Sequence, residues 1–357
     1  MAERYRRSPY LVAYWERRRL VVENYATRTR IAASPLTIQL LDLFHRWRGA
    51  GVLAREFSGV NVKTLARALA SLVRLQLLER SSEPPTARTV ALTTWKDWSP
   101  AASFFHLSTQ DAHAPVHEEL AAGLVRPRSS LRRPPAALKS YPDRPQLELP
   151  RASTTGELPR VLIGRRTWRE FSDRPLTKTQ LAELLGLTFG VQAWRDVPGI
   201  GRVPMKTSPS AGARHPIEAY VVAPRVRGLA RGLYHYDAAS HRLERLRRGA
   251  SSVQVTTYLN GQEWFGRSAA VVLMTAVFAR TQWKYPASRA YRAVLLDAGH
   301  LCQTFCLVAT SLGLAPFCTM ALADSAIERD LGIDGVTESV LYAAGVGGRP
   351  TGAAPSL

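Results

Sequence analysis

SPSAGARHP, residues 208–216, runs directly into IEAYVVA, residues 217–223, and this junction decides how the second half of the chain is read. IEAYVVA alternates and is β-branched, as a strand with a buried face requires. SPSAGARHP has small side chains and turn formers, so its backbone amides can come close to a flat ligand. A small-residue loop that ends in a buried strand is a firm platform. Standing alone it would be an ordinary Pro/Gly turn, so its meaning depends on what the rest of the chain brings.

Two further segments bear on it. RRTWREF, residues 165–171, places Arg165, Arg166 and Arg169 within about one turn if it opens a helix. Guanidiniums grouped in this way suit a phosphate, because Arg offers planar, multi-donor bonding and keeps its charge. The amides of a helix start would add to the attraction, and Thr167 adds a hydroxyl. A charge run is more often a solvated face, but Trp168 and Phe171 inside this one pin it to a core. KYPASRAYR, residues 284–292, supplies Lys284 and Tyr285. A Lys beside a Tyr can act as a general base with a neighbour to orient it. A Lys serves when burial and nearby cations lower its pKa. Arg280, Arg289 and Arg292 are near in sequence, and Trp283 and Pro286 are placed to shield the amine from water. The opposing reading is a surface Lys beside a packed Tyr.

In this order and spacing the three segments resemble the FMN-dependent nitroreductase superfamily over residues 160–350. Within it they resemble the SagB-type, azoline-oxidising dehydrogenases of peptide maturation. The resemblance implies an α+β, nitroreductase-like FMN fold: a central mixed sheet with flanking helices, dimeric, with the flavin between two subunits. It carries FMN contacts onto Arg165, Arg166, Thr167 and Arg169, onto Pro209, Ser210, Ala211, Gly212 and Ala213, and onto Cys318, Thr319, Gly347 and Arg349. It carries catalysis onto Lys284 and Tyr285. The common family pattern has Asn where this chain has Ala213 and Gln where it has His215, and the Gly212 form is that of the peptide-modifying branch. The implied reaction takes thiazoline or oxazoline to thiazole or oxazole in a modified precursor peptide, with a cyclodehydratase as a possible partner. The rival readings are an NAD(P)H-dependent nitroreductase acting on small aromatics, a flavin-linked DNA-binding regulator, and a non-catalytic scaffold for a cyclase. The Lys-Tyr pair and the N-terminal region argue against the first.

Upstream, Tyr10 to Ile31 reads as a hairpin or small meander. Ser34-Pro35 opens a helix with the stripe Leu36, Leu40, Leu41, Leu43 and Phe44. Asn61 to Leu78 gives a second, with Leu65, Leu69, Leu72, Val73 and Leu77 on one side, and Arg88 to Leu92 reads as a closing strand. Residues 1–98 are therefore expected to be a winged-helix-like domain that recognises a leader peptide. Lys63, Arg67 and Arg74 are the basic residues of its second helix, which lacks the Asn/Gln/Arg grouping suited to base edges. Residues 99–159, rich in Pro and Arg, are expected to be a linker or arm, and residues 160–357 the FMN domain. There Ile163, Leu176, Leu181 and Leu184 read as core.

The 357 residues carry 48 Lys and Arg against 28 Asp and Glu, a formal charge of +20, which favours an acidic partner without choosing among peptide, membrane and nucleic acid. Nucleic acid is not expected. No run of eighteen apolar residues marks a membrane span, and MAERYRRSPY is not followed by the apolar stretch of a secretory signal. Three Cys make no disulfide framework, so a reducing cytoplasm is the expected setting. His106, His113 and His117 have no Cys at ligand spacing. Cys302 and Cys306, four apart on a long helix at 291–312, read as buried unpaired thiols, and no metal site is expected. In the same helix, LDAGH (296–300) holds Asp297 and His300, a stretch that the resemblance places near the flavin. Gly199-Ile200-Gly201 lacks the strand-to-helix context of a dinucleotide fingerprint.

Overall fold

The computed structural model describes residues 3–111, 137–139 and 141–352. Contacts divide the chain into Met1–Gln110 with Gln282–Tyr291, and Asp111–Thr281 with Arg292–Leu357.

In the first unit, β1 (Arg4–Arg7) is followed by a meander of β2 (Leu11–Glu16), β3 (Arg19–Asn24) and β4 (Thr29–Ala32). The helix Pro35–Leu43 starts where expected. Ser34 and Thr37 form a reciprocal capping box and Pro35 is the first helical residue. After β5 (Arg48–Gly49) and a short helix Val52–Glu56, Asn61 caps the helix Val62–Arg74. Leu40, Leu41, Phe44, Leu65, Leu69, Leu72, Val73 and Leu77 form one buried cluster, so both stripes read from sequence are core. The sheet of this region has the order β5-β1-β6, with β6 at Leu78–Arg80. Arg88 to Leu92 is not its closing strand. Thr86 accepts from the amide of Thr89 and starts a helix, Ala87–Leu92. A further helix, Pro100–Thr109, lies in the stretch expected to be linker, because Ala102, His106 and Leu107 are buried on one side of it. His113, His117 and the Arg- and Pro-rich stretch 126–135 lie outside the described residues.

The second unit is built on a six-stranded sheet of order β13-β12-β10-β14-β16-β15. Its outer parts are the helix Glu157–Gly164, β7 (Leu176–Thr177), the helix Lys178–Phe189 and a hairpin of β8 (Ala193–Val197) and β9 (Gly201–Met205). That hairpin was not expected from the sequence. The turn at 198–200 carries Gly199, with Gly201 just after it, and both take positive φ. The sheet strands are β10 (Ile217–Ala223), β12 (Gly232–Asp237), β13 (Arg242–Arg248), β14 (Ala270–Val277), β15 (Leu314–Thr319) and β16 (Glu338–Gly348). Every pairing within this sheet is antiparallel, so the expected mixed sheet is corrected. Parallel pairing occurs between β7 and β11 (Val226–Arg227). Helices and strands combine without βαβ alternation, as the α+β reading required.

The helix Ala290–Ser311 is the long helix expected at 291–312. Length and composition alone would let it cross a membrane. Val294, Ala298, Leu301, Phe305 and Ala309 are nonetheless buried in the fold, as in a core helix. Leu176, Leu181 and Leu184 are core too, but Ile163 is 52% exposed, because its helix turns no buried residue inward.

Phe317 of β15 stacks on Phe265 at 3.8 Å between centroids and tilts against Phe171 at 5.7 Å. Phe317 and Phe171 come close to β16 because that strand has glycines there. A Cβ at Gly345 would overlap the Phe317 ring, and one at Gly347 would stand 2.5 Å from Phe171. Gly345→Ala should therefore lower the unfolding free energy by about 1–3 kcal/mol, the usual cost of overpacking. Denaturant unfolding followed by tryptophan fluorescence measures it, and an unchanged midpoint would contradict the close approach.

Candidate functional site

The loop before β10 is held in an unusual backbone conformation. Gly212, Ala213 and His215 have φ of 60°, 54° and 43°. Glycine adopts this region freely, whereas an L-residue pays about 1–2 kcal/mol for it. The common family pattern has Asn at 213, a residue more at ease there. Such strain persists only where surrounding contacts enforce it, and here they come mainly from the long helix. Asp297, buried, accepts from the Ser210 hydroxyl at 2.5 Å and from the Ala211 amide at 3.4 Å. Ser208 and Thr304 hydroxyls meet at 2.7 Å, and a ring nitrogen of His300 lies 3.3 Å from the Pro209 carbonyl. Within the loop the His215 amide donates to Ser210 Oγ at 2.8 Å. Burial raises the Asp297 carboxyl above its ordinary value, against the pull of the Ser210 and Ala211 donors.

Below the loop sits a run of charged groups. Arg280 pairs with Glu218 at 2.5 Å and donates to the His215 carbonyl at 3.0 Å. Burial holds Lys206 below its ordinary range, and Arg280 adds to this. Burial, then Lys206, pushes His215 down to about 4, so its ring is neutral near pH 7. The cavity that Lys206, Ser210, His215 and Asp297 line measures about 10 Å³, room for one water at most. Sequence reasoning missed Lys206 and Arg280 in this supporting role, since neither forms a pattern along the chain.

The Arg segment is arranged differently from its sequence reading. The helix Glu157–Gly164 ends before it, with Arg165 as its C-cap, so no helix start contributes amides. The chain then runs against the end of the sheet. The Trp168 amide donates to the Pro316 carbonyl at 3.0 Å, and the Ser172 amide to that of Gly348 at 2.9 Å. Arg166 is occupied by the carbonyls of Ile163 and Arg165, at 2.6 and 2.8 Å. Arg169 is exposed. Arg165 is half-buried, and among the described residues its guanidinium has no hydrogen bond or carboxylate partner; the Thr167 hydroxyl is likewise unbonded. A half-buried guanidinium, with a hydroxyl two residues further along the chain, fits an anion such as phosphate. Arg349 packs over the Trp168 ring at 5.7 Å and donates to Leu314 and Thr310 carbonyls at 2.9 and 3.3 Å. Thr319 bonds Gln262 at 3.1 Å, and Cys318 Sγ accepts from the Tyr342 hydroxyl at 3.4 Å. The long helix is the element shared by the loop and this Arg-rich end of the sheet.

Lys284 and Tyr285 belong to the first unit. There the Trp98 indole donates to the Tyr285 carbonyl at 3.0 Å, Ser99 and Ser288 hydroxyls meet at 2.7 Å, and Tyr291 lies 3.0 Å from a ring nitrogen of His106. The Lys284 ammonium stands 5.7 Å from the Tyr285 ring centre. Trp283 is 63% exposed. The expected shielding of the amine by Trp283 is therefore corrected, since the indole turns to solvent.

Residues 162–348 match the nitroreductase family, and the chain belongs to that family. It is 33% identical over 173 residues to a Methanocaldococcus jannaschii protein described as a nitroreductase, covering 48% of this chain and 83% of that one. It is also 33% identical over 142 residues to the trifolitoxin-processing protein TfxB of Rhizobium leguminosarum bv. trifolii, covering 39% of this chain and 38% of that one. A chain of the E. coli microcin synthetase complex, solved with truncated pro-MccB17 bound, has a TM-score of 0.50 and 21% identity. That likeness covers 76% of this chain and all of the other, and is one of fold.

Because Ala213 bears a left-handed backbone, Ala213→Gly should relieve strain. Glycine's larger unfolded-state entropy offsets part of this, leaving a gain of up to about 1 kcal/mol. A thermal melt showing a clearly lower midpoint would mean that residue 213 is not left-handed in solution.

Proposed function

We propose that the protein is an FMN-dependent dehydrogenase of peptide maturation, oxidising a thiazoline or oxazoline ring in a ribosomally made precursor to thiazole or oxazole. The observation that carries the cofactor reading is the half-buried Arg165 without an anionic partner among the described residues, with the open hydroxyl of Thr167 two residues further along the chain. These two residues would hold the phosphate, with Arg169 able to reach outward to it. The run Ser210 to Ala213, left-handed at Gly212 and Ala213, would present backbone to the ring system, kept in place by Asp297. One chain offers only a water-sized cavity behind this loop, so a flavin would lie on an open face that a second subunit covers. That is the reason for a homodimer.

When bound, FMN supplies a two-electron acceptor for hydride. The substrate ring also loses a proton. Lys284 would take that proton, with Tyr285 orienting the amine or the ring. Release of a hydride and a proton from adjacent ring atoms leaves a new double bond and an aromatic azole, which drives the step forward. The likeness to a trifolitoxin-processing protein supports a peptide as substrate. An azoline is the product of a cyclodehydratase, which makes such an enzyme the natural partner. In the first unit a cleft of about 390 Å³, lined by residues that include Tyr10, Trp47, Gln76 and Pro84, has the mixed apolar and polar walls that suit a leader peptide.

The purified protein should release FMN, not FAD, on denaturation. Arg165→Ala should weaken FMN binding by about 1.5–3 kcal/mol, the worth of a hydrogen bond to a charged group. Flavin-fluorescence titration measures this, and a protein that stays colourless in excess FMN would end the cofactor reading. Lys284→Ala should keep its flavin yet slow anaerobic flavin bleaching by an azoline peptide roughly 100-fold or more, as removal of a general base does. Bleaching at the wild-type rate would remove Lys284 from the proton path. Turnover of nitroaromatics by NAD(P)H with no azoline oxidation would favour the small-molecule reading instead.

A further inference from the structure

We propose that Cys302, Cys306 and Cys318 form a three-thiolate site for a single soft cation, copper(I). The sequence shows only a pair of cysteines four apart. Folding brings a third to them: the three sulfurs, two from the long helix and one from β15, all lie within 4.8 Å of one another. A trigonal ion with metal–sulfur bonds of about 2.3 Å needs sulfurs about 4 Å apart, so the group requires little movement to close on an ion. Donors from two different elements are the arrangement that a lone helical pair lacks.

The donor set selects the ion. Among the described residues no His, Asp or Glu joins the group, so the fourth ligand of a tetrahedral zinc site is missing. Three thiolates and no hard donor suit copper(I), which binds soft sulfur and accepts three-coordination. Cys302 and Cys306 are 4% and 5% exposed, which excludes water as a ready fourth ligand, while half-buried Cys318 gives an ion its way in. Outer groups fit as well. The Tyr342 hydroxyl donates to Cys318 Sγ at 3.4 Å, as partners of metal ligands commonly do. The loaded site, three thiolates around one copper(I), carries a net charge of −2. Binding is an exchange in which three thiols release three protons and one copper(I) takes the three sulfurs, with no change of oxidation state.

The test uses the full chain, as purified, under anaerobic conditions with ascorbate. Copper(I) is delivered from its complex with bathocuproine disulfonate, and the chelator's colour reports competition. We expect one copper(I) per chain, with the ultraviolet-excited emission of a copper–thiolate centre. Cys318→Ser should bind copper more than 100-fold more weakly, beyond the roughly 10–100-fold expected of Tyr342→Phe, an outer partner. Cys318 is the least buried of the three, so its replacement disturbs the core least, and far-ultraviolet circular dichroism and the melting temperature check that the fold is kept. Absence of bound copper, equal binding by Cys318→Ser, or retention of zinc(II) in preference to copper(I) would each overturn the proposal.

Discussion

The burial of one face of the helix Ala290–Ser311 is the constraint from which the second unit's chemistry follows. Val294, Ala298, Leu301, Phe305 and Ala309 are packed away, and each such side chain contributes on the order of 1–3 kcal/mol by leaving water. A helix pinned in this way has no rotational freedom, so its remaining positions become fixed points. Asp297, His300 and Thr304 are three or four apart and share a row; all three engage the loop at 208–211. Cys302 and Cys306 occupy a neighbouring row and meet β15. The carbonyl of Thr310, in the last turn, is bonded by Arg349. Loop, thiols and Arg-rich edge are thus set by one element.

The sheet imposes a second requirement. Phe265 stacks on Phe317 and Phe171 tilts against it, and glycines at 345 and 347 of β16 leave room for two of these rings. Gly347 is thereby occupied by packing, and any flavin contact would involve its backbone alone. The same close fit lets the chain at 168–172 lie along the sheet end through main-chain bonds. That path changes the electrostatics. A helix start would have offered amides and a dipole; an extended segment leaves the attraction for an anion to guanidinium and hydroxyl groups.

At the loop, packing overrides backbone preference. Ala213 and His215 adopt φ values that most L-residues avoid, and Asp297 and Ser210 together hold the turn against that cost. Strain maintained in this way keeps the backbone preorganised, which is useful where a flat ligand is to be met by main-chain atoms rather than by flexible side chains.

Much of this was legible along the chain because it is local. The Ser34 cap, the leucine stripes of the two N-terminal helices, the strand at 217–223 and the long helix follow from neighbours within four residues, where propensity and periodicity act. The family resemblance lay in short segments for the same reason. Local pattern misled where a distant contact took over. Arg165 to Arg169 looked like a helix start until Pro316 and Gly348 drew its main chain to the sheet, and Arg88 to Leu92 looked like a strand although Leu78 to Arg80 already filled that place. Trp283 looked like a shield, yet it faces solvent. The Asp297 anchor, the half-buried Lys206 and the joining of Cys318 to a cysteine pair twelve residues away could not be read at all. Each depends on which faces of separate elements are turned toward one another. That is decided by burying a common core, and sequence spacing carries no record of it.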